Sequence, residues 1–223
     1  MHEVGSKPVD TMLWRKFPLV LAALKSHNSQ PMNHNPDDLI MLFNDLFRES
    51  YRTILVRGSD EPEYLPVSEP EGLARVVFAH GFFASALHEI AHWCIAGEHR
   101  RTMYDYGYWY CPDGRTPEQQ QAFEQVEVKP QAIECLFSLA AGFRFHISVD
   151  NLAGGGAADG DAFRLNVLNQ ASDLKTKVGQ LDELRKSVFG SVPLALKKAE
   201  RITTEHNCIP RDMIRAVGNT FIF

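Results

Sequence analysis

The sequence predicts an α+β fold: a small mixed or antiparallel sheet packed on helices, followed by a helical C-terminal part. Three observations carry this. Short runs rich in β-branched and aromatic residues cluster between Thr53 and Ala79. Segments of helical periodicity flank them on both sides. One of those segments is an apolar helix carrying Leu87-His88-Glu89-Ile90-Ala91-His92-Trp93, an H-E-x-x-H pattern.

Composition narrows the function classes. A chain of 223 residues with 44% hydrophobic content can bury one ordinary core. The net charge of −5 argues against a broadly basic nucleic-acid binder, so no direct nucleic-acid partner is expected. No apolar run has the length needed to span a bilayer, and no membrane partner is expected. Four cysteines with no C-x-x-C pair argue for reduced thiols, a cytoplasmic protein and no structural zinc finger.

Taken in order, residues 1–31 differ from the rest. Trp14-Arg15-Lys16 precedes the apolar run Phe17 to Leu24, which contains Pro18 and no following cleavage site; we expect a poorly ordered leader. Residues 32–223 are expected to form a single catalytic domain, helical from about residue 161. Asn35-Pro36-Asp37-Asp38 supplies an N-cap and an acidic first turn. Leu39, Leu42, Phe43, Leu46 and Phe47 then follow the helical period as core residues. Thr53–Arg57, Glu63–Val67 and Arg75–Ala79 read as short strands, with Pro66 marking an edge. The third feeds the apolar helix through His80-Gly81, and Gly97 ends that helix.

Beyond it, Tyr104 to Tyr110 alternates like a strand, and Pro112-Asp113-Gly114 is a turn. Its aromatics either line a pocket or form one side of a sheet. Thr116-Pro117 starts the next helix. Pro130 is expected to kink that helix or begin a second one, which continues to Gly142. Asn151 to Gly160 reads as a flexible loop, and 161–223 as two or three amphipathic helices with a solvated basic face.

The H-E-x-x-H helix carries the chemistry. Histidines at i and i+4 share one helix face and can grip one divalent ion, with Glu89 placed to move a proton at whatever the ion binds. A third protein ligand is needed. His99 lies roughly 10 Å along the axis from His92 and is out of reach. The longer pattern with glycine and a third histidine fails, because Ile95 and Glu98 occupy those positions. That leaves a carboxylate of the helix that follows. Glu127 between Val126 and Val128 is preferred, because the stretch around Pro130 can bend it toward a site; Glu134 between Ile133 and Cys135 is the alternate. The two stand about 10 Å apart along a helix, so only one can ligate. Two histidines and a carboxylate suit zinc with Glu89 as the base of a peptidase, or Fe(II) with open positions for dioxygen.

Four stretches together have a wider likeness: Phe78-Ala79-His80-Gly81-Phe82, Ala86 to Gly97, Tyr106 to Gly114 and Val126 to Ala132. They resemble the elongation factor P hydroxylase family over roughly residues 37–205. The resemblance implies a cytoplasmic, oxygen-dependent non-haem iron enzyme. Its protein substrate is elongation factor P, hydroxylated on a lysine already extended by a β-lysyl group. By matching position, His88, His92 and Glu127 become the metal ligands and Glu89 a proton carrier. Under that implication Tyr106, Tyr108 and Trp109 would line the path of a long cationic side chain. Asp105 or Asp113 would hold its ammonium group. The alternative is a zinc-dependent metallopeptidase of the H-E-x-x-H type.

Overall fold

A computed structural model describes residues 13–27, 34–107, 115–148 and 157–189. The order is α1 (Leu13–His27), α2 (Pro36–Tyr51), β1 (Thr53–Arg57), β2 (Glu63–Leu65), β3 (Ala74–Phe78), α3 (Phe83–Ile95), two short 3-10 turns, α4 (Pro117–Ala140) and α5 (Ala157–Phe189). The architecture is α+β, as the sequence predicts.

Helix α2 begins where its cap dictates. The Asn35 side chain accepts from the Asp37 amide, and Pro36 occupies the first turn. Its buried face is Leu39, Leu42, Phe43, Leu46 and Phe47. The Asn44 Oδ1 accepts from the Leu55 amide at 2.8 Å and fastens α2 to β1. The sheet order is β1-β3-β2, so apolar β3 is central. Strand β1 runs parallel to β3 and β2 antiparallel to it, which makes the sheet mixed, with β2 at an edge.

Strand β3 passes into α3 through two successive left-handed residues, His80 (φ 54°) and Gly81 (φ 66°). Ser85 Oγ accepts from the Ala79 amide at 3.0 Å and holds that junction shut. Helix α3 buries Phe83, Ala86, Leu87, Ile90, Ala91, Trp93 and Cys94. His88, Glu89 and His92 lie on its half-buried side. Trp93 stands at the centre of an aromatic cluster with Phe43, Phe47 and Tyr51. Aromatic pairs of this kind add modestly to what their burial contributes.

Helix α4 starts with a reciprocal capping box between Thr116 and Gln119. It ends at Gly142 (φ 64°), with the Phe143 amide donating to the Ser138 carbonyl and the Gly142 amide to the Leu139 carbonyl. Helix α5 lays Phe163, Val167, Ala171 and Leu174 against the core.

The structure departs from the sequence expectations at four places. Residues 13–27 lie within the stretch read as a poorly ordered leader, yet they form α1. Its Phe17, Val20 and Leu24 recur at helical spacing and are fully buried. Tyr104–Gly107 is a left-handed turn rather than a strand, because Asp105, Tyr106 and Gly107 all have positive φ; residues 108–110 of the expected strand lie outside the described residues. Of the two expectations at Pro130, a second helix does not begin there, because α4 runs through it. The hydrogen bond that Pro130 cannot donate would have gone to the carbonyl of Val126, a residue that is 45% exposed. The expected loop at 151–160 is helical from Ala157, where α5 begins, and the expected helical character of the C-terminal part holds through Phe189. Residues 149–156 and 190–223 lie outside the described residues.

Candidate metal centre

Two helices bring the candidate ligands together. Helix α3 presents His88 and His92 one turn apart, with ring centroids 4.6 Å from each other. Helix α4 lies against α3 and directs Glu127 and Glu134 toward them. The Nε2 atoms of His88 and His92 are 3.0 Å apart. Glu127 Oε2 is 3.4 Å from His88 Nε2, and Glu127 Oε1 is 3.2 Å from His92 Nε2. His88, His92 and Glu127 form a group that could hold a metal ion.

The donor set fits a divalent transition ion. Two ring nitrogens whose lone pairs face each other at 3.0 Å repel unless a proton or a cation lies between them. Donors about 2.1 Å from a shared ion at right angles stand roughly 3 Å apart, close to all three separations here. Glu127 and Glu134 are both buried. Such carboxylates need a compensating positive charge.

Glu134 Oε2 lies 2.8 Å from His88 Nδ1. An ionised carboxylate only accepts, so Nδ1 carries the proton and Nε2 is left for an ion. Glu127 and Glu134 thus meet opposite sides of one imidazole. Burial opposes a charge on His88, but the two carboxylates outweigh it and hold its pKa well above the ordinary value. Burial likewise resists charge on Glu127, but the adjacent His92 and His88 hold its carboxyl well below the usual range. The site therefore favours cations strongly.

Glu89 follows His88 on α3 and is half-buried. Burial raises its carboxyl above the ordinary value, His92 and His88 oppose the rise, and Glu127 and Asp105 add to it. A carboxyl with a raised pKa is suited to exchanging a proton.

The other sequence candidates are placed unequally. Asp105 Oδ1 accepts from the Tyr64 amide at 2.7 Å, joining the turn to the edge strand β2. Tyr106 is 5% exposed and stacks on Tyr64, with centroids 4.2 Å apart and planes at 17°. Its hydroxyl is buried and has no hydrogen-bond partner among the described residues. Tyr108, Trp109 and Asp113 lie outside the described residues. Sequence reasoning missed Tyr64, which supports the 104–107 turn through both its ring and its amide. It also missed how Glu134 contributes. The spacing of two full turns from Glu127 is the one signal that could have indicated it.

Comparison with known proteins follows the same line. A family described as elongation factor P hydroxylase matches residues 42–192. A second family, described as an ATPase involved in DNA repair, matches only residues 173–223, under a quarter of the chain. The chain is also 51% identical over 139 residues to a protein of Haemophilus influenzae named elongation factor P lysine hydroxylase; the match covers 62% of this chain and 78% of that protein. Through a family match that spans both helices carrying the candidate ligands, this chain belongs to the elongation factor P hydroxylase family.

Proposed function

We propose that this chain hydroxylates a lysine side chain of elongation factor P, using Fe(II) held by His88, His92 and Glu127 and consuming dioxygen. The observation that carries the reading is the convergence of these three side chains inside a chain 51% identical to a named elongation factor P lysine hydroxylase. Bound iron would supply the redox chemistry that lets dioxygen attack an unactivated C–H bond.

The chain's own residues set the conditions. Glu134 fixes the tautomer and orientation of His88. Glu127 sits in a buried position that excludes water from its side of the site. Glu89 holds or releases a proton at its carboxyl next to His88 in α3. We assign Asp105, Tyr106, Tyr108, Trp109 and Asp113 to the path of the substrate side chain, with aromatic faces and carboxylates suited to a long cationic group. The β-lysyl-extended lysine is the substrate form we favour, and the cytoplasm the compartment. No helix among the described residues is long and apolar enough to cross a membrane. The zinc-peptidase alternative shares the donor set, but no relative favours it.

The test is anaerobic purification with elemental analysis, followed by mass spectrometry of modified elongation factor P incubated with enzyme, reductant and air. Stoichiometric iron and a mass gain of one oxygen atom are expected, with iron lost in His88→Ala and Glu127→Ala. Glu89→Gln should keep the iron and lose about 10²- to 10⁴-fold in rate. Zinc taken up from metal-balanced medium, with peptide cleavage that Glu89→Gln abolishes, would overturn the reading.

A further inference from the structure

His92 stands in the last turn of α3, which ends at Ile95. The final carbonyls of a helix have no partner within it, and an unsupported last turn frays. Here a side chain from α1 meets them. Lys16 is 0% exposed, and its Nζ donates to the Trp93 carbonyl at 2.6 Å and to the Ala96 carbonyl at 3.0 Å. The same Nζ lies 4.2 Å from the centre of the Trp93 ring. A cation at a helix C-terminus also opposes the negative end of the helix dipole. The two carbonyls belong to the residue after His92 and to the residue one turn beyond it. The Ala96 amide in turn donates to the His92 carbonyl at 3.0 Å. Lys16 therefore grips the backbone on the C-terminal side of one candidate ligand. It does so from a helix outside residues 42–192, the span of the family match.

We propose that Lys16 is a positioning residue for His92: by clamping the last turn of α3 it keeps the His92 ring in register with His88 and Glu127. The proposal rests on the reading that these three side chains hold a metal. Geometry supports it over a role in fold stability alone. The ammonium group is directed at the turn that bears His92, whereas α1 packs into the core through Phe17, Val20 and Leu24. Losing the clamp leaves the three donors present but lets one of them wander.

The experiment is a Co(II) titration of the full chain followed by visible absorption, on wild type, Lys16→Met, Leu24→Ala and His92→Ala. Leu24→Ala weakens the packing of α1 eight residues from Lys16, roughly 12 Å along the helix axis, and leaves the Lys16 ammonium in place. We expect Lys16→Met to weaken Co(II) binding about 10- to 100-fold, in the range seen when a supporting residue is lost, and to alter the band shape. Leu24→Ala should leave affinity and spectrum as in wild type, and His92→Ala should abolish binding. Wild-type affinity and spectrum in Lys16→Met would overturn the proposal while leaving the metal reading intact. Failure of wild type to bind Co(II) at all would overturn both. Should Lys16→Met not fold, coupling is read in wild type, because linkage is reciprocal. Co(II) should slow tryptic cleavage after Lys16 and Lys25, and an unchanged cleavage rate counts against the proposal.

Discussion

Replacing Glu134 separates a ligand from its support. In the structure its Oε2 accepts from Nδ1 of His88 at 2.8 Å, while Glu127 lies 3.4 Å from Nε2 on the other side of the ring. Glu134→Gln keeps a carbonyl oxygen that can accept from Nδ1 and removes only the charge. Metal affinity should fall by about 10-fold, or ~1.4 kcal/mol. Glu134→Ala removes the acceptor as well and leaves a buried ring N–H without a partner, itself a cost of about 1–3 kcal/mol. Its loss should approach 100-fold, or ~2.7 kcal/mol. Both variants should still saturate with one ion per chain, whereas Glu127→Ala should not. Anaerobic titration with Fe(II), or with Co(II) followed optically, measures all three. Full saturation of Glu127→Ala, with none in Glu134→Gln, would refute the assignment of roles.

Two further predictions concern protonation. Burial pushes the Cys94 thiol up to about 12, only partly countered by Lys16, so iodoacetamide at pH 8 should leave it unmodified in the native protein and alkylate it after unfolding; modification at native rates equal to a free thiol contradicts the packing. The second prediction follows from the metal-free site. His88 has a raised pKa, so its stabilisation is full below its ordinary value of 6.5 and is lost as pH rises through the folded value. Glu127 is depressed, so its contribution is present above 4.5 and fades on acidification through the folded value. A bound ion replaces the proton on His88, so added Zn(II) should raise Tm more at pH 8 than at pH 5.5, and equal shifts at the two pH values would rule this out.

Much of the fold could be read from local chemistry. Asn35-Pro36 and Thr116-Pro117 mark two helix starts, and the spacing of Leu39, Leu42, Phe43, Leu46 and Phe47 gives the buried face of α2. The β-rich runs gave all three strands, including the edge position of β2. What escaped depends on distant partners. Helix α1 is short and contains Pro18, and the site that receives Lys16 is formed by carbonyls at the far end of α3. The alternating aromatics at 104–107 look like a strand, but Asp105 bonds to the Tyr64 amide and the chain takes three left-handed residues in succession. At the site, the pair of histidines was plain and Glu127 was the preferred partner. The expectation that only one glutamate can ligate left the other without a part, since a single ring placed between both acids is visible only when α4 lies against α3.

That ring between two acids has a mechanical meaning. Glu127 and Glu134 are carried on one continuous rod, with Pro130 between them and no break in α4. Turning α4 by a single residue, about 100° about its axis, would withdraw both carboxylates from His88 together. Sliding it along α3 would lose one grip as it tightened the other. Both contacts to His88 therefore depend on one and the same docking of α4 on α3. An ion held by His88, His92 and Glu127 would act as a rivet between the two helices, so its binding and the docking of α4 on α3 would be one equilibrium.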